Sequence, residues 1–183
     1  MGISSKVKSS AIFLDRDGVI NRSIVRSGKP YPPSSLRELE ILPGVSDSLT
    51  SLKAMGYLLI VITNQPDVAR GKTRMEDVEA LNSELKKSLP LDAFFICYHD
   101  IEDNCKCRKP KPGLILDAAK EFNIDLSTSY MVGDRWKDIE AGYLVGCKTF
   151  FLDYNYNEKQ PEKFDYKVKS LTDVVQIIIQ THK

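Results

Sequence analysis

Short, continuous apolar runs alternate along the chain with stretches whose apolar residues recur at helical spacing. Residues 11–15, 57–63, 93–98, 129–133 and 148–152 read as strands, because they are brief and apolar with no internal polar face. Val45, Leu49, Leu52 and Met55 mark a first amphipathic helix, and Val78, Leu81 and Leu85 a second. The pattern Thr73-x-x-Glu76 ahead of the second predicts a capping box. Ile115, Ala118, Ala119 and Phe122, opened by Pro112, mark a third helix. Residues 137–144 and 171–179 give the last two. Strand–helix alternation of this kind predicts an α/β, Rossmann-like and mostly parallel sheet with helices on both faces. Neither an internal repeat nor an interdomain linker interrupts it, so residues 1–183 read as one domain. Residues 23–36, with Gly28, Pro30, Pro32 and Pro33, read as an inserted loop.

In such sheets functional groups gather beyond the carboxyl ends of the strands. The predicted strands end there in polar chemistry: Asp15 and Asp17, then Thr63-Asn64-Gln65, then Cys97-x-His99, then Gly133-Asp134-Arg135. Asp15 and Asp17, two residues apart on an extended chain, face the same side. With Asp134 from another strand end they offer oxygen-only ligation, the preference of Mg²⁺. Such an ion would stabilise carboxylates that are costly to desolvate bare. The alternative makes Asp15 and Asp17 ordinary turn acids around Gly18.

Composition narrows the class. Among 183 residues, 42% are hydrophobic and 28% charged, and Lys+Arg 26 against Asp+Glu 25 leaves a net charge of +1. No basic excess suggests nucleic acid as a partner. No apolar run is long enough to span a membrane, and residues 1–10 lack the apolar core of a signal peptide, so a cytoplasmic, monomeric enzyme is expected. Of four cysteines, three fall within eleven residues beside His99, giving Cys97-x-His99-x5-Cys105-x-Cys107. Three thiolates and an imidazole suit a closed, structural zinc site, with buried thiols or a redox pair as the alternative. Cys147 stands apart as a core residue.

The ordered set LDRDG, TNQ, RKPKPG and GDRxxD resembles the four motifs of the haloacid dehalogenase superfamily, across nearly the whole chain. The resemblance implies phosphoryl transfer through an aspartyl phosphate, with Mg²⁺, on a Rossmann-like sheet without a large cap domain. It makes Asp15 the nucleophile and Asp17 the general acid and base. Asp15, Asp134 and the backbone carbonyl of Asp17 would hold the metal. Thr63 and Lys109 would bind the phosphoryl oxygens, with Lys111 a rival for the lysine. Asp138 would support the metal waters or Lys109, or cap a helix. Asn64 and Gln65 are expected at the phosphoryl group or leaving oxygen, Asn21 as a brace of the first loop, and Arg108 and Arg135 at a second anionic group of the substrate, with pairing to neighbouring acids as the alternative for either arginine.

The zinc loop leading into CRKP resembles two branches of that superfamily. One removes the 7-phosphate of D-glycero-D-manno-heptose 1,7-bisphosphate and the other acts on histidinol phosphate. DGVIN and TNQPDVARGK resemble the first, so a small phosphorylated sugar is the expected substrate. Residues 23–36 differ from the short segment expected in that branch. A competing expectation from another class is a zinc-stabilised binding module without catalysis.

Overall fold

The computed structural model describes residues 8–181. The expectation that no signal peptide opens the chain therefore rests largely on residues outside the described ones. The elements run β1 (Ala11–Leu14), β2 (Ile24–Arg26), β3 (Lys29–Tyr31), α1 (Val45–Ala54), β4 (Leu58–Asn64), α2 (Met75–Ser88), β5 (Ala93–Cys97) and α3 (Gly113–Phe122). They continue with β6 (Tyr130–Gly133), α4 (Trp136–Leu144), β7 (Lys148–Leu152), β8 (Tyr166–Val168) and α5 (Leu171–Thr181). Among the described residues no helix is long and apolar enough to cross a membrane.

Six strands form one sheet in the order β5-β4-β1-β6-β7-β8. Every pairing in it is parallel, from Ala11 opposite Leu58 to Leu152 opposite Val168. Side-chain alternation divides the core. Ile12, Leu14, Leu59, Val61, Tyr130 and Val132 pack with residues of α1 and α5, while Ala11, Phe13, Ile60, Ile62 and Met131 pack with residues of α3 and α4. Covering both faces explains why these strands are apolar at consecutive positions. Full burial of one such side chain stabilises by about 1.5–3 kcal/mol. Strand propensity spans only about 1 kcal/mol, so burial decides which runs become strands.

The chain steps from β1 outward to β4 and β5, then returns to add β6 on the other side of β1. That reversal leaves a crevice beyond the carboxyl ends of β1 and β6, the usual ligand position in open parallel sheets. Asp15 and Asp134 lie at those two ends.

Three details depart from the sequence-based expectation. Within residues 23–36, β2 and β3 form an antiparallel hairpin, with Ile24 opposite Tyr31 and Arg26 opposite Lys29. Ser27 and Gly28, at φ 50° and 74°, make the tight turn whose two central residues both need positive φ. The Thr73–Glu76 capping box does not form. Helix α2 starts at Met75, and Arg74 before it pairs with Asp77 at 2.7 Å. The edge strand β8 is additional; of its three residues only Val168 is buried.

Candidate active site

β1 delivers Asp15 to the crevice, its backbone N–H donating to the Val132 carbonyl at 3.0 Å. The next residues turn sharply, with the Arg16 carbonyl accepting from the amides of Ile20 (2.9 Å) and Asn21 (3.1 Å). Gly18 in this turn has φ +98°, and a Cβ there would lie 1.9 Å from Asp134 Oδ2. Both the left-handed backbone and the close carboxylate demand glycine. The turn thereby lets Asp134 come up beside Asp15.

Asp15, Asp134 and Asp138 each offer a carboxylate oxygen, all within 4.8 Å of one another. Lys109 is buried among them. Its Nζ lies 2.7 Å from Asp15 Oδ1 and 2.6 Å from Asp138 Oδ1, and donates to the Ile62 carbonyl at 2.6 Å. Asp138 uses its other oxygen to accept from the Arg135 backbone N–H at 3.0 Å, capping α4. One buried ammonium against three buried acids leaves the cluster short of positive charge. The imbalance falls on Asp134, whose two buried oxygens accept no hydrogen bond of ordinary length among the described residues, with the Tyr156 hydroxyl standing nearby.

The titration of the groups follows from this. Burial, with the charges of Asp15 and Asp138, pushes Asp134 well above the usual carboxylate range, opposed only by nearby Tyr156 and Arg135. Burial raises Asp15 to about 7; Lys109 opposes that shift, while Asp138 and Asp17 add to it. Burial works against the Lys109 ammonium, but Asp138 and Asp15 outweigh it and raise its pKa. A buried, unpaired carboxylate costs several kcal/mol. An all-oxygen donor set with such a member fits a hard divalent cation such as Mg²⁺.

Asp17 is held from three directions: by Arg16 Nη2 at 3.0 Å, Asn21 Nδ2 at 3.0 Å and Gln65 Nε2 at 2.8 Å. Gln65 also donates to Thr63 Oγ1 at 3.0 Å. Asn64 clamps the backbone of Lys109, donating to its carbonyl and accepting from its N–H, each at 3.1 Å. Asp15, Asp17, Thr63, Lys109, Arg108 and Arg135 line one cleft of about 220 Å³. The β2–β3 hairpin adds Lys29, Pro30 and Tyr31 to its wall.

Beyond β5, Cys97, His99, Cys105 and Cys107 converge. Their Sγ and Nδ1 atoms stand 3.2–3.7 Å apart in the pairs Cys97–Cys107, Cys105–Cys107, His99–Cys107, Cys97–Cys105 and Cys97–His99. A tetrahedron with Zn–S arms of ~2.3 Å has edges of about 3.8 Å, so the set fits zinc with slight expansion. All four cysteines of the chain are free thiols.

The model of the haloacid dehalogenase-like hydrolases matches residues 34–146. A Helicobacter pylori (strain ATCC 700392 / 26695) protein, D-glycero-beta-D-manno-heptose-1,7-bisphosphate 7-phosphatase, is 38% identical over 176 residues, covering 93% of this chain and 98% of the relative. An Escherichia coli K12 protein of the same name is 36% identical over 188 residues, covering 94% and 95%. The chain belongs to the haloacid dehalogenase-like hydrolases. Among solved structures, the D,D-heptose 1.7-bisphosphate phosphatase of B. bronchiseptica, complexed with magnesium and phosphate, superposes with a TM-score of 0.80 at 28% identity, covering 94% of this chain and 99% of that one.

In this haloacid dehalogenase-like hydrolase the residues expected to contact substrate are already engaged within the protein. Arg135 is committed to Glu158 by two bonds of 2.7 and 2.5 Å. Arg108 donates to the His99 carbonyl at 3.0 Å and has Asp100 only at 3.8 Å. The amides of Asn64 and Gln65 bind the protein itself. Lys111 binds Asn104 at 2.6 Å and the Cys105 carbonyl at 2.9 Å, bracing the cysteine loop away from Asp15. Sequence reasoning missed Arg16, fully buried and bonded through Nη1 to Asn82 Oδ1 at 2.9 Å. The signal was available: an arginine between two site acids, ahead of a helix with an asparagine on its apolar face. It also missed Glu158 and Tyr156, which come from an irregular segment with no periodicity to read.

Proposed function

We propose that the chain is a Mg²⁺-dependent phosphomonoesterase that removes the 7-phosphate of D-glycero-D-manno-heptose 1,7-bisphosphate. The observation that carries this is the match, across more than nine-tenths of both chains, to relatives named for that reaction. The cluster of Asp15, Asp134, Asp138 and Lys109 in the β1/β6 crevice supplies matching chemistry.

Asp15 is the nucleophile. One carboxylate oxygen is fixed by Lys109, leaving the other to bond phosphorus as the ester P–O bond breaks. Asp17, oriented by Arg16, Asn21 and Gln65, delivers a proton to the departing alkoxide oxygen. It then removes a proton from the water that attacks phosphorus, which frees Asp15 and releases inorganic phosphate. Thr63 and Lys109 bind the phosphoryl oxygens, and Asn64 fixes the lysine's backbone. Asp15, Asp134 and the Asp17 carbonyl would hold Mg²⁺, with Asp138 supporting from behind. The ion, when bound, offsets repulsion between the Asp15 carboxylate and the phosphate dianion. Zinc on Cys97, His99, Cys105 and Cys107 would tie down the loop that presents Arg108, a ligand for the sugar's other phosphate. The near-neutral charge supports a small sugar phosphate rather than nucleic acid as its partner.

Steady-state kinetics on both anomers of the bisphosphate and on histidinol phosphate test the reading. The expected result is a strong kcat/KM preference for heptose bisphosphate, with the β anomer of the named relatives first to be tried. Phosphate release should need Mg²⁺ and fall by roughly 10⁴-fold or more in Asp15→Asn. A preference for histidinol phosphate overturns the substrate, and an active Asp15→Asn overturns the mechanism.

A further inference from the structure

Six cationic side chains line the active-site cleft: Lys29, Arg70, Arg108, Lys109, Arg135 and Lys137. Four have acidic partners. Lys109 is held by Asp15 and Asp138, and Arg135 by Glu158. Arg70 reaches Asp67 at 3.1 Å and Asp100 at 2.5 Å, and Arg108 has that same Asp100 at 3.8 Å. Lys29 and Lys137 have no ion pair among the described residues. Lys137 is half-buried, rests 5.5 Å from the Trp136 ring, and has Arg135 and Arg108 nearby as like charges and Glu158 and Asp138 as opposite ones, none of the acids in ion-pair contact with it. Lys29 reaches the cleft from the hairpin, whose turn is fastened to the body by the Asn157 amide on the Gly28 carbonyl at 2.7 Å.

Unpaired cations are ordinary on an open surface. Here two of them, from separate elements, enter the cleft that already holds a buried lysine for one phosphate. A lysine recognises phosphate as a point charge from a flexible stem, so two entering from different walls can close on one dianion. We propose that Lys29 and Lys137 join Arg108 in binding the second phosphate of a bisphosphate substrate, which makes the β2–β3 hairpin a specificity element. This rests on the substrate class proposed above. It also gives a role to the segment at 23–36 for which the sequence offered none. Lys29 would bring the hairpin onto the sugar.

The test compares heptose 1,7-bisphosphate with heptose 7-phosphate, which keeps the scissile ester and lacks the other phosphate. The readout is the ratio of their kcat/KM values in the wild type, Lys29→Ala, Lys137→Ala and the double variant. Each single change should lower that ratio about tenfold, the scale of one hydrogen bond to a charged group. Lys29→Arg should restore most of it. Thermal unfolding of each variant checks that it is folded. A wild type without preference for the bisphosphate overturns the substrate class and this inference together. A wild type with the preference, kept intact in the double variant, overturns the lysine pair alone.

Discussion

Arg16 is the residue that holds Asp17, the proposed acid–base group. It is fully buried, reaches Asn82 on α2 with Nη1, and grips Asp17 with Nη2 and Nε. Removing one partner of a buried pair leaves the other uncompensated, which costs about 3–5 kcal/mol. Arg16→Met should therefore lower the urea-unfolding free energy by roughly that amount. It should also lower kcat more than it raises KM, because Asp17 loses the contact that orients it. A variant of native stability and native kcat would contradict this role. At this scale the sequence was legible where chemistry needs a residue type at a strand tip, as at Asp15, Asp134 and Cys97. It was illegible where a role depends on a partner distant in sequence. Asn64 looked like a substrate amide and instead splints the Lys109 backbone, 45 residues away. Arg135, expected at a second anionic group or paired with an acid, is bound to Glu158, an acid 23 residues away that periodicity could not point to.

The loop that carries His99, Cys105 and Cys107 leads directly into Arg108 and Lys109 of the site. From Tyr98 to Lys109 the chain forms no helix or strand, and Ile101 stands 69% exposed, so little apolar burial holds the loop. Purified protein should carry one zinc. Stripping it with a chelator, then restoring saturating Mg²⁺, should lower kcat/KM about ten- to a hundred-fold, the usual scale for groups that position others. Limited proteolysis should then cut within residues 99–107. Less than half an equivalent of zinc by metal analysis would remove the ion from the picture. Elements were readable where burial imposes a pattern, as in β1, β4 and β6. The hairpin was not, because its strands are three residues each and mostly exposed. β8 was hidden for a similar reason: it is short, and Tyr166 joins the sheet through stacking on Phe150 at 4.7 Å between ring centres. The expected cap of α2 was displaced by an Arg74–Asp77 ion pair that periodicity cannot rank against it.

For the whole molecule, the acid cluster couples folding, pH and metal. Asp15 rises from 3.8 to about 7 in the fold, so folding favours its protonated form. That contribution is fully present below about pH 4 and disappears as pH climbs through about 7, with Asp134 shifted in the same direction. Magnesium needs the ionised form. The melting temperature gained from saturating Mg²⁺ should therefore be larger at pH 8 than at pH 5.5, which calorimetry at the two values measures. A gain independent of pH would count against Asp15 as a ligand. Fold class was the most legible property of all, because alternating strands and helices leave few other ways to bury two faces of a parallel sheet.

Asp138 has one further consequence. One of its oxygens closes the first turn of α4 and the other secures the ammonium of Lys109. A displacement of Asp138 would thus loosen that helix end and the Lys109 ammonium together. The exchange rate of the Arg135 amide with solvent then clocks how often the catalytic floor comes apart.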